Sequence, residues 1–461
     1  MGKPALRGAT GAGMTVNAKG SGQPRAERQA GTSNQGRYVP QSDRLCVAKK
    51  HQSLSDYALR RYRLAGKAIL DEHGNPFFAP TDTLKAEIQA KGNGHFVSFA
   101  NYDYLGLAEH PEVKAAAHNA IDTLGVGALA SRLVGGERST HQKFEDDLAK
   151  FLGVEATLSL VSGYLTNLTV ITHIMAKRDA IFLDELSHNS VATGARTSDA
   201  DKIVFRHNDL DHLDQLLTEH REKYRNCLIV VESLYSMDGD TVDLGRICDL
   251  KEKHGAWLLV DEAHSIGVLG ERGSGLCEYC GVDPNRVDLI IGTLSKSFAS
   301  CGGFVAGRRG IIDWMKFTLP GFVYSVGLSP VITAAAAKAL ELMQTESWRV
   351  AKLAHNAEFL RDTAQAAGLD TGPAIGRAVI PILFNSVWET MAVSQHLLAH
   401  GVYVPPVVQV GVPKDKPRLR FFISASHTEE EIRQVVQLIV DRPVVEPPRT
   451  LLGGDQAAAA L

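Results

Sequence analysis

Cysteine is scarce in this chain. Six residues in 461 (Cys46, Cys227, Cys248, Cys277, Cys280 and Cys301) are scattered too widely for a disulfide framework and suit reduced cytosolic thiols. Cys277 and Cys280 form a C-x-x-C, but no second Cys or His pair supplies the other ligands of a zinc site, so the pair reads as a chance occurrence in a loop. No uninterrupted apolar stretch approaches the ~20 residues needed to span a bilayer. The apolar N-terminal core of a secretory signal is also missing. Neither sign of charge dominates: 49 Lys and Arg against 52 Asp and Glu leave a net −3, which gives no reason to expect nucleic acid. These absences point to a cytoplasmic protein without a transmembrane segment, with peripheral membrane association left open.

What is present is a long, ordinary globular composition, 44% hydrophobic and 22% charged, enough for two or three domains. Residues 1–40 are poor in large apolar side chains and carry six basic residues against Glu27 alone. Such a segment cannot bury enough surface to offset its ordering entropy, so it reads as a disordered basic tail. Residues 41–98 form an N-terminal arm, with ordered sequence beginning near Ser53 as a short helical segment and then a hairpin around Ala68–Asn75. A large domain is expected over 99–345, a smaller C-terminal α+β domain over 346–442, and a loose tail over 443–461.

The middle of the chain alternates. Apolar runs at Thr157–Val161, Ala180–Asp184, Ile203–Phe205, Leu228–Glu232, Trp257–Asp261, Asp288–Thr293 and Gly303–Gly307 are separated by helical patterns or turn-rich loops. This rhythm predicts an α/β fold: a mostly parallel sheet of these seven runs, sandwiched by helices. A helix is predicted from Pro111, a good first-turn residue, and a long Ala/Leu-rich helix from about Val331. Ligands of such sheets bind beyond the carboxyl ends of the strands, so polar residues there are informative.

Two of those ends stand out. Trp257–Val260 runs into Asp261-Glu262-Ala263-His264-Ser265, and the next run leads into Thr293-Leu294-Ser295-Lys296-Ser297. A lone lysine after a strand is ordinarily a solvated loop residue. Paired with a strand-terminal carboxylate it suggests a pyridoxal phosphate site: the amine holds the cofactor as a Schiff base and Asp261 keeps its pyridine nitrogen protonated. Ser162-Gly163-Tyr164, where a run meets a helix, offers backbone N–H groups to a phosphate, and the hydroxyls of Thr293 and Ser295 add donors. His188, after another strand end, is placed to stack on a pyridine ring and also to reach the substrate carboxylate. Ser236 is placed to reach the phenolic oxygen of that ring, and His264 to tune that oxygen or donate to a substrate carbonyl. In Pro417-Arg418-Leu419-Arg420-Phe421-Phe422, an arginine facing inward suits a bidentate grip on a carboxylate.

The order of these elements resembles the α-oxoamine synthase family of fold-type I pyridoxal phosphate enzymes. The resemblance runs from about Asn101 to His427 and rests also on Tyr104-Leu105-Gly106-Leu107, Asp184, His207-Asn208-Asp209 and Ser236-Met237-Asp238-Gly239-Asp240. It implies that Lys296 bonds the cofactor, Asp261 pairs with the pyridine nitrogen, and His188 stacks on the ring. It further implies that His264 and Ser236 contact the ring oxygen, Thr293 the phosphate, and Arg420 and Asn101 the substrate. The implied assembly is a homodimer with its active site at the subunit interface. The implied reaction is a decarboxylative Claisen condensation of an amino acid with an acyl-CoA, or an acyl-carrier thioester.

Asp261-Glu262-Ala263-His264-Ser265 and Ser295-Lys296-Ser297 look more like serine palmitoyltransferases than 8-amino-7-oxononanoate synthases, which makes serine the favoured amino acid. The alternatives are 8-amino-7-oxononanoate synthase or another member of the family, a fold-type I aminotransferase, and a non-catalytic scaffold. Pro405–Pro413 is longer than the family's usual Pro-Pro-x-x-Pro loop.

Overall fold

The computed structural model describes residues 53–62, 96–408 and 416–442. The basic tail at 1–40, the hairpin at 68–75, the far half of the 405–413 segment and the tail at 443–461 lie outside the described residues. Of a first unit, Met1–Arg63, the described part is the helix Leu54–Tyr62. Its first turn is closed by Ser53, whose Oγ accepts the Asp56 N–H at 3.1 Å. The described residues from Phe96 to Arg442 belong to a second unit.

The strands of that second unit are β1 (Val97–Ser98), β2 (Ala156–Leu160), β3 (Ala180–Asp184), β4 (Asp201–Phe205), β5 (Cys227–Glu232), β6 (Trp257–Asp261), β7 (Leu289–Thr293), β8 (Gly303–Gly307), β9 (Val379–Leu383), β10 (Val402–Tyr403), β11 (Pro406–Val407) and β12 (Arg418–Phe422). Seven of them make one sheet in the order β2-β8-β7-β6-β5-β3-β4, with β8 antiparallel to both of its neighbours and the other pairs parallel. The fold is therefore the expected α/β type, a mostly parallel sheet covered by helices. Buried on both faces, its inner strands read as continuous apolar runs rather than alternating ones.

The period of two still decides which face each side chain meets. Phe182, Ile229, Val231, Leu258, Val260 and Ile290 point into one core. Ile181, Leu183, Leu228, Val230, Leu259 and Ile291 point into the other. The helices Pro111–Leu124, Ser139–Leu152 and Pro330–Thr345 contribute to the first core, and Gly163–Ile174 and Asn189–Thr197 to the second. Pro111 does open its helix, capped by the His110 side chain. β4 starts two residues before the apolar run because it is an edge strand, and Asp201 and Lys202 stay exposed on it.

A second sheet, β11-β12-β9, is antiparallel throughout, while β1 pairs in parallel with β10. Helices Trp348–Ala366, Val387–Ala399 and Glu429–Val440 accompany these strands. On β12, Arg418 and Arg420 share one face, while Leu419 and Phe421 fill the core on the other. The loop after β5 is pinned to β9 at Gly239. With φ +68°, a Cβ there would lie 2.1 Å from the Val379 carbonyl oxygen, so only glycine fits. Among the described residues, no helix is long and apolar enough to cross a membrane.

Candidate active site

The carboxyl ends of β3, β5, β6 and β7 lie along one edge of the large sheet, and a cavity of about 210 Å³ opens there. Register sets its floor: Glu232 pairs with Asp261 and Asp261 with Ile291, so two strand-terminal carboxylates stand side by side. Asp261 is buried. Its Oδ1 accepts the Ala263 N–H at 2.9 Å and its Oδ2 accepts from Asn167 Nδ2 at 2.6 Å. The second Asn167 hydrogen goes to Ser190 Oγ at 3.0 Å, and Ser190 Oγ lies 2.7 Å from His188 Nδ1. The Ser190 N–H also points at His188 Nδ1, at 3.2 Å, which makes that nitrogen an acceptor. One chain of hydrogen bonds thus fixes the carboxylate and the imidazole together.

Lys296 enters from the turn after β7, on the same cavity as Asp261 and His188. Its Nζ lies 5.6 Å from the centre of the Tyr102 ring. Burial lowers the amine to about 7, against the pull of Asp261 and Glu232. A neutral amine near neutral pH is what nucleophilic attack on an aldehyde requires. Glu232 shows the complementary effect: burial, and then the neighbouring Asp261, raise it to about 8. Its Oε1 accepts the His188 N–H and so holds the loop on which the imidazole sits. Burial also lowers the His188 imidazole, although Asp261 opposes this.

At the other side of the lysine the helix Gly163–Ile174 begins, and its first N–H groups have no partner within the helix. Ser162 is its N-cap, with Oγ accepting from the Leu165 N–H at 3.4 Å; it does not line the cavity, whereas Gly163 and Tyr164 do. Gly163 is packed so closely on β7 that a Cβ would sit 2.8 Å from Thr293 Oγ1. Thr293 Oγ1 lies 2.8 Å from Ser295 Oγ, so free amides and two hydroxyls surround one spot. This is an anion cradle of the helix N-terminal type.

The last side of the cavity is built from the loops after β5 and β6 and the segment before the helix Pro111–Leu124, with β12 packed behind them. His264 lines it, with Nδ1 2.8 Å from the Tyr104 hydroxyl and its ring stacked on Phe422 at 6.4 Å. Ser236 lines it too, and its carbonyl accepts from Arg420 Nη1 at 2.8 Å. Arg420 does not itself line the cavity, but its Nε is buried without an acceptor and its charge reaches Lys296, His188 and His264. Arg418 does a different job, buried in an ion pair with Asp238 at 2.7 Å.

Asn101 is exposed and its Oδ1 accepts the Asp103 N–H at 3.3 Å; the next residue, Tyr102, lines the cavity. One expectation is corrected. Cys277 and Cys280 lie in a short helix, Leu276–Cys280, not a loop, with Cys277 buried and Cys280 exposed. No group of three metal-ligating side chains occurs among the described residues. Sequence reasoning missed Asn167, Ser190, Glu232 and Tyr102. Glu232 was findable, since it ends a strand in the same way as Asp261. Asn167 sits one turn into its helix and Ser190 in the first turn of its own, where nothing in the sequence marks them.

The donor set fits pyridoxal phosphate: a neutral amine for its aldehyde, a fixed carboxylate for its ring nitrogen, and a phosphate cradle that any residue larger than Gly163 would fill. A family model described as aminotransferase class I and II matches residues 94–439. An 8-amino-7-oxononanoate synthase of Alkaliphilus metalliredigens is 37% identical over 354 residues, 77% of this chain and 89% of that one. Among solved structures, serine palmitoyltransferase of Sphingomonas wittichii matches with TM-score 0.78 and 30% identity over 85% of this chain and 98% of its own. The enzyme from S. paucimobilis, solved with a pyridoxal phosphate–myriocin aldimine, matches with TM-score 0.79 and 28% identity over the same shares, 85% and 98%. The chain belongs to the aminotransferase class I and II family and, within it, to the α-oxoamine synthases, which are pyridoxal phosphate-dependent acyltransferases.

Proposed function

We propose that this α-oxoamine synthase condenses serine with an acyl-CoA. A bond forms between the amino-acid α-carbon and the thioester carbonyl, the C–S bond breaks to release CoA, the carboxylate leaves as carbon dioxide, and a proton returns to the α-carbon. The observation that carries the reading is the meeting of Lys296, Asp261 and His264 on one cavity beside an anion cradle. Serine comes first because the fold matches serine palmitoyltransferases over nearly their whole length, and because of the residues around Asp261 and Lys296.

Pyridoxal phosphate, when bound, supplies the electron sink for charge developing at the α-carbon. Asp261, oriented by Asn167 and Ala263, would keep the ring nitrogen protonated. Lys296, lowered by burial to about 7, takes the α-proton and gives it back. His188, locked by Ser190 and Glu232, would cover the ring. Gly163, Tyr164, Thr293 and Ser295, which line the cavity together, would hold the phosphate. Ser236 and His264 would address the ring oxygen. Arg420, with its orphaned Nε, grips the substrate carboxylate.

The active protein is a homodimer. Leu129 and Tyr324 are 88% and 87% exposed, next to exposed Val126, Val134 and Val326. The two segments are tied by a Gly327 N–H to Ala130 carbonyl bond of 2.9 Å. An apolar patch of this kind, with Leu129 held at a strained φ of +66°, is built to be covered by a second copy.

A second reading, 8-amino-7-oxononanoate synthase, is favoured by the 37% identity to the Alkaliphilus enzyme. A matrix of serine, alanine and glycine against acyl-CoAs of graded chain length, read by thiol and carbon dioxide release, separates the two. Serine with long acyl chains gives the highest kcat/KM on the first reading. Preference for another amino acid overturns it, and amine transfer to a keto acid without carbon dioxide overturns the condensation altogether.

A further inference from the structure

We infer that Tyr104 is a positioning residue for this reaction: its phenol O–H fixes His264 as the tautomer that presents an Nε2–H donor to the cavity. The inference rests on the condensation proposed above. The donor's target is an oxygen gathering negative charge, either on the ring or on the thioester carbonyl.

The argument is a count of protons. Tyr104 Oη lies 2.8 Å from His264 Nδ1, and both residues are buried. Tyr104 Oη makes no other hydrogen bond among the described residues. One hydrogen lies between the two atoms, and it belongs to one of them. Were it carried on Nδ1, the phenol hydrogen would be sealed in the interior without an acceptor, the costlier arrangement for a buried donor. Carried on the phenol, it satisfies both groups and sends the ring's own proton to Nε2. The charged forms are closed off as well. Burial, together with Lys296, Arg420 and His188, holds the His264 imidazole well below its ordinary value, and burial holds the Tyr104 phenol well above its own.

The phenol is placed for this task by a rigid anchor. The Asp103 carboxylate accepts the Leu107 and Ala108 N–H groups at 2.8 and 3.1 Å, which fixes the turn that follows Tyr104. The Ala425 N–H binds the Tyr104 carbonyl at 2.7 Å, and Ser424 Oγ binds the Asp103 carbonyl at 2.7 Å. Stacking against Phe422 holds the ring plane of His264. With Nδ1 engaged by Tyr104, Nε2 is the nitrogen free to serve the cavity that His264 lines.

Nitrogen-15 NMR of the imidazoles in the full chain tests this without substrate, with the His264 signals picked out of 17 histidines by their loss in His264→Gln. The expected wild-type spectrum has the proton on Nε2 and a hydrogen-bonded, unprotonated Nδ1. In Tyr104→Phe, which keeps the buried ring, the Nδ1 signal moves to that of an unbonded nitrogen. At the same time kcat falls by about tenfold with cofactor still bound, less than the 10²–10³ typical of deleting a donor outright. A proton on Nδ1 in the wild type overturns the inference, as does a Tyr104→Phe protein whose His264 signals stay in place. If Tyr104→Phe fails to fold, the wild-type tautomer alone decides. The expected tautomer in a protein that condenses none of the amino acids would leave the assignment of Tyr104 standing and overturn the proposed reaction instead.

Discussion

Asn167 Nδ2 stands 2.6 Å from Asp261 Oδ2 and, through its other hydrogen, ties that carboxylate to Ser190 and thence to His188. An amide one turn into a helix therefore aligns the two groups proposed above to meet the cofactor ring at its nitrogen and on its face. A hydrogen bond to a charged group contributes about 1.5–3 kcal/mol. In Asn167→Leu, kcat should fall roughly 10- to 150-fold, with pyridoxal phosphate still bound. Steady-state kinetics beside the cofactor absorbance checks this; unchanged kcat would remove Asn167 from the site.

Lys296 must be unprotonated to capture the cofactor aldehyde, and burial has lowered its amine to about 7. The rate of covalent capture by the apoprotein should climb as pH rises through about 7 and level off above it. An exposed lysine would keep climbing toward pH ~10. Stopped-flow absorbance over roughly pH 6–10 distinguishes the curves. Lys296→Ala should lose both the visible band and turnover.

Arg418 and Arg420 share a face of β12 but should fail differently when removed. Arg420→Ala should raise KM for the amino acid by about tenfold or more, as loss of a charge-assisted grip does. Lysine should rescue little of it, because a point charge cannot reproduce the fork. Arg418→Ala removes the buried partner of half-buried Asp238 and should cost about 3 kcal/mol of stability. Denaturant melts and substrate titrations on both variants reveal whether the roles have been exchanged.

His207 is clamped between Asp184 and Asp240, each at 2.8 Å. Burial by itself would lower the imidazole, but the two carboxylates lift it to about 10. A group raised in the folded state stabilises it fully below the unfolded value of about 6.5. That contribution is lost as pH climbs toward 10. His207→Gln should therefore melt a few degrees lower at pH 7, with the gap closing as the pH passes about 10. A gap that widens with pH would contradict the charged clamp.

The exposed apolar face predicts assembly. Replacing Leu129 and Val134, 88% and 83% exposed, with aspartate should leave the monomer folded but dissociate the dimer. Sedimentation velocity across a dilution series reads the result, and a wild-type chain that stays monomeric at all concentrations disproves the homodimer.

Much of the fold was legible because buried parallel strands advertise themselves. The runs at Ala180–Asp184, Trp257–Asp261 and Gly303–Gly307 coincide with β3, β6 and β8 residue for residue. Apolar runs broken by helices leave few other ways to pack. The site was legible where chemistry sits at a strand end: Lys296, Asp261, His188, His264, Ser236 and Thr293 all face the one cavity. It was illegible where a side chain works through another. Asn167, Ser190 and Tyr104 look like ordinary helix or core residues until the chain is folded.

By itself, then, the sequence determined the sheet and the set of reactive groups at its edge, because periodicity and strand-end polarity are local properties of the chain. Only the tertiary structure decided which neighbours hold those groups. It chose Tyr102 over Asn101 for the cavity, left Arg418 to pair with Asp238 while Arg420 kept a free donor, and brought Tyr104 to His264 across 160 residues. Such contacts join segments far apart in the chain. Their geometry comes from sheet register and packing, which no local pattern encodes.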